Sequence, residues 1–123
     1  MISAILLGAG KSERMGMDKL SLPWGRETVL EHCFETLLRS KVQEVAVVLS
    51  LRKKGIKHLF LRPRVKIVMN PYSEKGMSTS IRGGIQMIHP NRQGILIALG
   101  DQPYLKTRTI NALIHAFEKG REG

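Results

Sequence analysis

A glycine-rich segment with cationic side chains directly follows the first apolar run of the chain. The run is Ile2–Leu7, and the segment reads Leu-Gly-Ala-Gly-Lys-Ser-Glu-Arg-Met-Gly-Met-Asp-Lys from Leu7 to Lys19. Glycines let a backbone approach a ligand closely and turn its N–H groups inward, an arrangement that suits phosphate oxygens. Arg14 and Lys19 add positive charge to the same loop. These residue types favour phosphate binding.

Three phosphate-binding patterns compete for this loop. The dinucleotide fingerprint G-x-G-x-x-G fails because Glu13 stands where its third glycine is required. The P-loop G-x-x-x-x-G-K-[ST] fails because Ile5 stands where its first glycine is required. The pattern L-x-A-G-x-S-x-R-M-G-x-x-K is satisfied at every specified position, by Leu7, Ala9, Gly10, Ser12, Arg14, Met15, Gly16 and Lys19. The third pattern therefore describes the loop best.

Two later segments carry polar residues just after apolar runs. One begins at Asn70-Pro71 and continues to a Ser-Thr-Ser sequence at 78–80, and the other is Gly-Asp-Gln-Pro at 100–103. Asp101 is the only acid in the last third of the sequence before Glu118, and it stands just past an apolar run, where its carboxylate can reach solvent and a ligand. The alternative is an Asp that caps the turn before Pro103.

Other polar residues also have structural interpretations. Asn70 before Pro71 is a common turn-forming pair. Ser78 stands near the start of a predicted helix, so a plain N-cap role is as reasonable as ligand binding. His32 and His115 fall on helical stretches away from the loops, and both are interpreted as structural.

Apolar periodicity predicts alternating strands and helices. Thr28 followed by Glu31 forms a capping box that fixes one helix start. The predicted strands are Ile2–Leu7, Glu44–Ser50, Val65–Met69 and Ile95–Leu99; the predicted helices are Thr28–Arg39, Leu51–Leu61, Met77–His89 and a last one that Thr107 caps and Gly120 ends. This alternation predicts an α/β fold, a Rossmann-like three-layer α/β/α sandwich with a mostly parallel sheet. Ligands bind beyond the carboxyl ends of such strands, so the three polar segments should meet at one edge.

Composition places these elements in one domain, residues 1–123. The chain is 42% hydrophobic and 24% charged, which excludes wholesale disorder. The single cysteine, Cys33, excludes an internal disulfide framework and a Cys-based zinc site. No apolar run is long enough to cross a bilayer, so we expect no membrane partner and a cytoplasmic location.

The charge is concentrated in one segment. The net charge is +10, and the segment from Arg39 to Lys66 holds nine basic residues and one acid, Glu44. Such a run is usually a solvated face, and its functional alternative is attraction of a polyanion, either a phosphorylated substrate or nucleic acid. Phe60 is the only aromatic residue there, so a nucleic-acid partner is not favoured.

The loop pattern is the signature of the MobA-like nucleotidyltransferases, and the chain resembles that family over nearly its whole length. The matching residues continue at Pro23, Leu30-Glu31-His32, Asn70-Pro71, Gly76–Gly84 and Gly100–Pro103. The resemblance is strongest to the branch that contains molybdenum cofactor cytidylyltransferase. It implies a nucleotide-diphospho-sugar transferase-like fold and transfer of a nucleoside monophosphate from NTP to a phosphate of a molybdopterin-type acceptor, with release of pyrophosphate. CTP is the favoured donor and GTP the alternative.

The resemblance also implies roles for individual residues. Nucleotide binding falls to Leu7, Gly8, Ala9, Gly10, Arg14, Lys19, Asn70, Ser78 and Ser80. Arg14, Lys19 and Asp101 are the catalytic candidates, and Asp101 is the ligand for Mg²⁺ or Mn²⁺.

Two departures from the family pattern affect what is expected. Gly8 replaces the usual alanine, which is a mild change, and the sequence ends at Gly123, whereas family domains continue well beyond this point. The domain is therefore interpreted as lacking its usual C-terminal part. The alternatives to an active enzyme are a truncated, non-catalytic nucleotide-binding module and a basic nucleic-acid-binding protein. An unpaired edge after the fourth strand would favour a homodimer or aggregation.

Overall fold

The structure is a computed structural model that describes residues 1–8, 13–14, 17–18, 23–24, 27–102 and 104–122. The strands and α-helices of this part of the chain are, in order, β1 (Ile2–Gly8), β2 (Glu13–Arg14), β3 (Met17–Asp18), β4 (Pro23–Trp24), β5 (Glu27–Thr28), α1 (Val29–Leu38), β6 (Glu44–Ser50), β7 (Val65–Asn70), α2 (Met77–Met87), β8 (Gly94–Leu99) and α3 (Thr107–Glu122). Two 3-10 helices, Leu51–Phe60 and Ser73–Lys75, follow β6 and β7.

The four long strands form one parallel sheet in the order β7-β6-β1-β8. The register aligns the carboxyl ends of the strands, with Gly8 beside Leu49 and Ser50 beside Asn70. The remaining strands form two short antiparallel pairs, β2 with β3 and β4 with β5. The predicted mostly parallel sheet is confirmed.

Helices cover both faces of this sheet, as an α/β/α sandwich requires. Every residue of β1 and β6 is buried, which explains why these strands are continuous apolar runs. On one face, the core contains side chains from β1, β6, α1 and α3, and Phe34 meets Phe60 edge-to-face at 4.9 Å between ring centroids. On the other face, Ile5 and Val48 pack beneath α2 together with Ile88.

Polar contacts fix both ends of α1. The Glu31 backbone N–H donates to the Thr28 hydroxyl, and the Thr28 N–H donates to the Glu31 carboxylate, each at 3.1 Å. The predicted capping box is therefore confirmed. At the other end, the Arg64 guanidinium donates to the carbonyl oxygens of Leu38 and Val42. These bonds satisfy backbone acceptors that the end of a helix would otherwise leave open.

Two of the predicted helices differ from the structure. The segment Leu51–Phe60 is a 3-10 helix, whereas the sequence predicted a short helix over Leu51–Leu61. The second helix ends at Met87, because Ile88 is extended and the His89 N–H donates to the Glu44 carboxylate instead of continuing the helix. No described helix is both long and apolar enough to span a bilayer.

The last helix also differs at both ends. Thr107 is the first helical residue rather than a cap, and its hydroxyl donates to the Thr36 carbonyl at 2.9 Å. The helix runs through Gly120 to Glu122. A glycine ends a helix most readily in the left-handed conformation, and among the described glycines Gly76 has a positive φ, at 115°, whereas Gly120 does not.

Candidate functional site

The carboxyl edge of the sheet brings together the described parts of all three polar segments. Gly8 ends β1, Asn70 ends β7, and Asp101 follows β8 by two residues. The Gly100 N–H donates to the Leu7 carbonyl at 3.0 Å, which fixes the Asp101 turn to the end of β1. The predicted convergence therefore holds for these residues. Ala9, Gly10 and Lys19 lie outside the described residues, and Arg14 belongs to β2.

A side chain at position 8 would be crowded by the core. A Cβ built there would lie 3.0 Å from a methyl group of Leu49 and 3.1 Å from a methyl group of Leu30, both fully buried. The absence of a side chain at Gly8 lets β1 pack closely against Leu30 of α1 where the loop begins.

The space around Gly100, at the base of the Asp101 turn, is more restricted than the space around Gly8. A Cβ at Gly100 would lie 2.5 Å from a Leu30 methyl group and 3.0 Å from the Leu7 carbonyl oxygen. The turn therefore rests directly on α1. Close backbone approach of this kind fixes the position of the following residue, which is Asp101.

One carboxylate oxygen of Asp101, Oδ1, is buried without a hydrogen-bond partner in the part of the chain that the structure describes. A buried acceptor without a partner costs about 1–3 kcal/mol, more if charged, so its retention needs an explanation. A divalent cation such as Mg²⁺ prefers a few carboxylates together with phosphate oxygens, so the donor fits such an ion. The described residues contain no cluster of three candidate metal-binding side chains.

Cys33 of α1 lies close to the Asp101 turn and is 2% exposed. Burial raises the pKa of its thiol, the Gln102 backbone acts in the opposite direction, and the Asp101 carboxylate adds to the rise. A thiol in this state is protonated at neutral pH and unreactive. The expectation that Cys33 is a small core residue agrees with this burial.

The side chain of Asn70 is buried and occupied by bonds to its own turn. Its amide nitrogen donates to the Thr79 hydroxyl at 3.0 Å and to the Ser80 hydroxyl at 2.8 Å. Its carbonyl oxygen accepts from the Tyr72 N–H at 2.9 Å. These contacts give Asn70 the turn-forming role that sequence analysis kept as an alternative. Sequence reasoning missed Thr79, whose hydroxyl also contacts the carbonyls of Tyr72 and Gly76.

The hydrogen bonds of Asn70 hold the first turn of α2 in place. Gly76, with a φ of 115°, is the N-cap residue of α2, and it makes no side-chain capping bond. Ser78 is exposed within the first turn, so the alternative that it caps the helix is wrong. Ser80 is 4% exposed and is held by Asn70. Of the two predicted serines, Ser78 is therefore the one accessible to a ligand.

Several basic residues of the segment from Arg39 to Lys66 have structural roles. Arg62 pairs with Glu35 at 2.7 Å, Arg64 closes α1, and Lys66 donates to the Met87 carbonyl at 2.7 Å and pairs with Glu44. These contacts agree with the interpretation of a largely structural, solvated face. The 3-10 helix Leu51–Phe60 starts from the carboxyl end of β6, so it begins at the sheet edge that carries the candidate site.

Comparison with known proteins identifies the class to which this site belongs. Residues 4–123 match the MobA-like NTP transferase domain family. The chain belongs to that family, in agreement with the loop signature and the parallel sheet.

Curated relatives carry several functional names. The chain is 31% identical over 121 residues to nicotine blue oxidoreductase of Paenarthrobacter nicotinovorans and 30% over 118 residues to purine catabolism protein PucB of Bacillus subtilis, covering 98% and 89% of this chain. It is 30% identical over 125 residues to a probable molybdenum cofactor guanylyltransferase of Methanosarcina mazei, and 26% over 105 residues to the molybdenum cofactor cytidylyltransferase of Escherichia coli, covering 95% and 85% of this chain. The matches cover 59%, 58%, 52% and 53% of these relatives, respectively. The chain thus spans somewhat more than half the length of the relatives it matches.

Solved structures support the same fold. The chain superposes on a nucleotidyl transferase from Methanothermobacter with a TM-score of 0.79 and 29% identity, covering 91% of this chain and 56% of that one. It superposes on Rv0371c from Mycobacterium tuberculosis with a TM-score of 0.80 and 25% identity, covering 93% and 58%. A sandwich of the nucleotide-diphospho-sugar transferase type is thereby confirmed.

Proposed function

We propose that this chain forms the nucleotide-binding part of an enzyme that transfers a nucleoside monophosphate from NTP to a phosphate group of an acceptor. The observation that carries the proposal is the buried Oδ1 of Asp101, which has no hydrogen-bond donor among the described residues and lies at the edge where β1 ends in Gly8. A carboxylate beside a glycine-rich loop combines a ligand for a divalent cation with a backbone cradle for phosphates.

The chemistry is an in-line displacement at the α-phosphorus. An oxygen of the acceptor phosphate forms a bond to that phosphorus, the bond to the bridging oxygen of the β-phosphate breaks, and pyrophosphate leaves with its electron pair. Most of the catalysis in such transfers is positioning and charge neutralisation. Mg²⁺ or Mn²⁺ at Asp101 would supply part of that neutralisation.

Residues of the chain would provide the rest. Backbone N–H groups of Gly8, Ala9 and Gly10 would bind phosphate oxygens, and Leu7 would orient the start of the loop. Arg14 and Lys19 would neutralise the β- and γ-phosphates, where charge accumulates as pyrophosphate departs. Ser78, exposed at the start of α2, would contact the base or ribose, while Asn70 and Ser80 would hold that helix in place.

Two features support finer assignments of the substrates. Relatives named as molybdenum cofactor guanylyl- and cytidylyltransferases suggest GTP or CTP as donor and a molybdopterin-type acceptor, and the resemblance to the cytidylyltransferase branch favours CTP. The basic 3-10 helix Leu51–Phe60 would attract these anionic substrates to the sheet edge.

Nucleotide binding is tested by isothermal titration of the chain with CTP, GTP and ATP in Mg²⁺ and in Mn²⁺. We expect binding of CTP that Arg14→Ala and Lys19→Ala each weaken by about tenfold or more, because each removes a charge-assisted phosphate contact. Lys41→Ala is the matched control, since Lys41 is exposed in the connection from α1 to β6, away from the carboxyl edge. Absence of binding to all three nucleotides at millimolar concentration would contradict the proposal.

Transfer is tested by pyrophosphate release with molybdopterin as acceptor. Because the chain spans somewhat more than half of its curated relatives, a nucleotide-binding module without transfer activity is the second candidate. Nucleotide binding without pyrophosphate release would support that module. A gel shift with duplex DNA at low salt, where phosphate attraction is strongest, tests the nucleic-acid alternative, and we expect none.

A further inference from the structure

Three arginines line a groove at the amino edge of the sheet, the edge opposite the candidate site. This arginine groove has a volume of about 300 Å³ and is lined by Glu35, Leu38, Arg39, Arg62, Pro63 and Arg64. Helix α1 ends here at Leu38, and β7 begins here at Val65. The length of β7, about 20 Å for a strand of this size, separates the groove from Asn70 at the carboxyl edge. The groove is therefore distinct from the proposed nucleotide site.

The turn that supplies Arg62, Pro63 and Arg64 to the groove holds an arginine in an unfavourable backbone conformation. The Val65 N–H donates to the Arg62 carbonyl at 3.2 Å, so Pro63 is the second residue of the turn and Arg64 the third. Arg64 has a φ of 69°, and among the described residues it alone has a positive φ without being glycine. A turn with a left-handed third residue favours glycine or asparagine there. An arginine in this place points to a role for its side chain.

The Arg64 guanidinium is held in position without being neutralised. Its Nη1 donates to the Val42 carbonyl at 2.9 Å, and its Nη2 donates to the Leu38 carbonyl at 3.3 Å. Both partners are uncharged, and no carboxylate within the described part of the chain pairs with Arg64. These two bonds fix the guanidinium beside the end of α1 and leave its positive charge at the groove.

The other two arginines have different surroundings. Arg62 lies 6.0 Å from the centroid of the Phe34 ring and donates to the Glu35 carboxylate at 2.7 Å. Arg39 is the exposed C-cap residue of α1, and its guanidinium makes no hydrogen bond or ion pair with another described residue. Three positive side chains and one negative one give the lining a net charge of +2. The pair of Arg62 with Glu35 also shows that a carboxylate can bind a guanidinium within this groove.

The donors of the groove favour carboxylates over phosphates. Phosphate sites usually present several backbone N–H groups or the N-terminus of a helix. Here α1 presents its C-terminal end, and the Arg39 N–H is already bonded to the carbonyls of Glu35 and Leu37. Pro63 has no N–H to offer. The donors are therefore guanidinium groups, which match planar carboxylates with two parallel hydrogen bonds.

Apolar surface lies between the charged side chains. Leu38 and Pro63 line the groove, and Leu61, just before the turn, is 65% exposed. The aromatic rings beside the groove, Phe34 and Phe60, are buried, so neither can stack on a base of a nucleic acid. A ligand that combines carboxylates with an apolar side chain matches this lining better than a nucleic acid does.

We propose that the arginine groove binds an acidic segment of a partner protein. Carboxylates of the segment pair with Arg39, Arg62 and Arg64, and an apolar side chain of the segment lies against Leu38 and Pro63. Clusters of arginine are a recurring means of recognising acidic motifs. The net charge of +10 also speeds the encounter with an acidic partner. This proposal does not depend on nucleotidyl transfer.

The probe is a fluorescein-labelled synthetic peptide of about ten residues, acidic except for two central leucines. In the control peptide, asparagine and glutamine replace the acids. Fluorescence anisotropy should give a Kd of about 100 μM or lower for the acidic peptide and binding about tenfold weaker or more for the control, because the control lacks charge-assisted hydrogen bonds. CTP should not displace the peptide, since the nucleotide site lies at the other edge of the sheet. Equal binding of the two peptides, or displacement by CTP, would overturn the proposal.

Charge reversal at two exposed arginines locates the contact. Arg39→Glu should weaken binding of the acidic peptide by about tenfold or more, because it places a negative charge in the groove. Arg108→Glu, at an exposed position on α3, changes the net charge by the same amount and should leave binding within about twofold. Neither side chain bonds to another described residue, so both variants should fold, which circular dichroism checks. Equal weakening by the two variants would show that only overall charge attracts the peptide, and the proposal would fail.

A third variant and a competitor complete the test. Arg64→Gly suits the left-handed backbone of the turn but removes the guanidinium, so it should weaken peptide binding by about fivefold or more. Unchanged binding by a folded Arg64→Gly variant would contradict the assignment. Unlabelled duplex DNA should displace the labelled peptide only at a higher concentration of negative charge than the unlabelled acidic peptide. Displacement by DNA at a lower concentration would assign the groove to nucleic acid instead.

Discussion

The backbone N–H of Gly100 donates a hydrogen bond of 3.0 Å to the carbonyl oxygen of Leu7. This bond continues the β1–β8 pairing one residue past the end of β8, so the Asp101 turn starts from the same point as the loop that follows Gly8. Two segments almost one hundred residues apart in sequence are therefore fixed to each other where the candidate site begins.

Asp101→Asn should reduce metal-dependent pyrophosphate release by about a hundredfold or more, because a neutral amide is a poorer ligand for a divalent cation. The melting temperature should not fall, since the replaced Oδ1 has no donor among the described residues. Pyrophosphate release and thermal unfolding are measured in parallel, with Glu118→Gln on the exposed side of α3 as the control. Unfolding of Asp101→Asn would instead identify Asp101 as a turn-capping residue.

Gly84→Ala should lower the free energy of unfolding by about 1–3 kcal/mol, because its methyl group would lie 2.8 Å from the Ile5 Cγ2 in the core. The matched control is the neighbouring Gly83→Ala in the same helix. Its methyl group would make an ordinary contact of 3.4 Å with Val68, and alanine favours the helix by up to about 1 kcal/mol. Urea unfolding measures the free energy of unfolding of both variants. An equal loss in Gly84→Ala and Gly83→Ala would contradict the close packing of α2 on β1.

Asn70→Ala should lower the free energy of unfolding by about 1–3 kcal/mol, because it removes the bonds to Thr79, Ser80 and Tyr72. Loss of these bonds also releases the start of α2, so nucleotide affinity should fall with stability. Chemical denaturation and CTP titration measure the two effects. Asn91→Ala, at an exposed position before β8, should change neither.

Glu44 should make the free energy of unfolding depend on pH in the acidic range. Burial acts to raise the pKa of its carboxyl group, but hydrogen bonds from Ser3 and His89 and the charge of Lys66 outweigh burial and lower the pKa below its ordinary value of 4.5. A lowered pKa in the folded state means that the stabilisation is present above pH 4.5 and is lost as pH falls through the folded pKa.

The test is the free energy of unfolding of Glu44→Gln from pH 7 down to pH 3. The variant should be less stable by about 1–2 kcal/mol at neutral pH, and the difference from the unsubstituted chain should shrink in acid. Glu74→Gln, at an exposed position, serves as the control with a difference near zero throughout. A constant difference for Glu44→Gln would show that Glu44 acts by packing rather than by charge.

Local patterns predicted much of the fold because they reflect local physics. Continuous apolar runs located the buried strands within one residue, and Thr28 with Glu31 located the start of α1. Features that depend on distant contacts were missed. The end of α2 is set by Glu44, more than forty residues earlier, and the role of Thr107 depends on the carbonyl of Thr36. The exposure of Ile95, Ile97 and Leu99 also cannot be predicted from the sequence of β8. An apolar run has the same sequence pattern whether or not a helix covers it.

The candidate site was predictable to a similar degree. The positions of Gly8, Asn70 and Asp101 at one edge follow from the shared direction of parallel strands, since each residue stands at or just after a carboxyl end. The close approach of Gly100 to Leu30 and the hydrogen bond of Asn70 to Thr79 could not be predicted in this way. Each joins residues from separate segments, and only the folded core determines the distance between them.

The order of strands in the sheet also constrains when the chain can acquire its structure during synthesis. Strands β1, β6 and β7 are neighbours, so three-quarters of the sheet can assemble once the first 70 residues have left the ribosome. The Asp101 turn is set only after β8 has paired with β1, a contact of long sequence separation that forms more slowly than local ones. A nascent chain can therefore order β1, β6 and β7 first, and Asp101, the proposed metal ligand, reaches its place only after residues 94–101 have been synthesised.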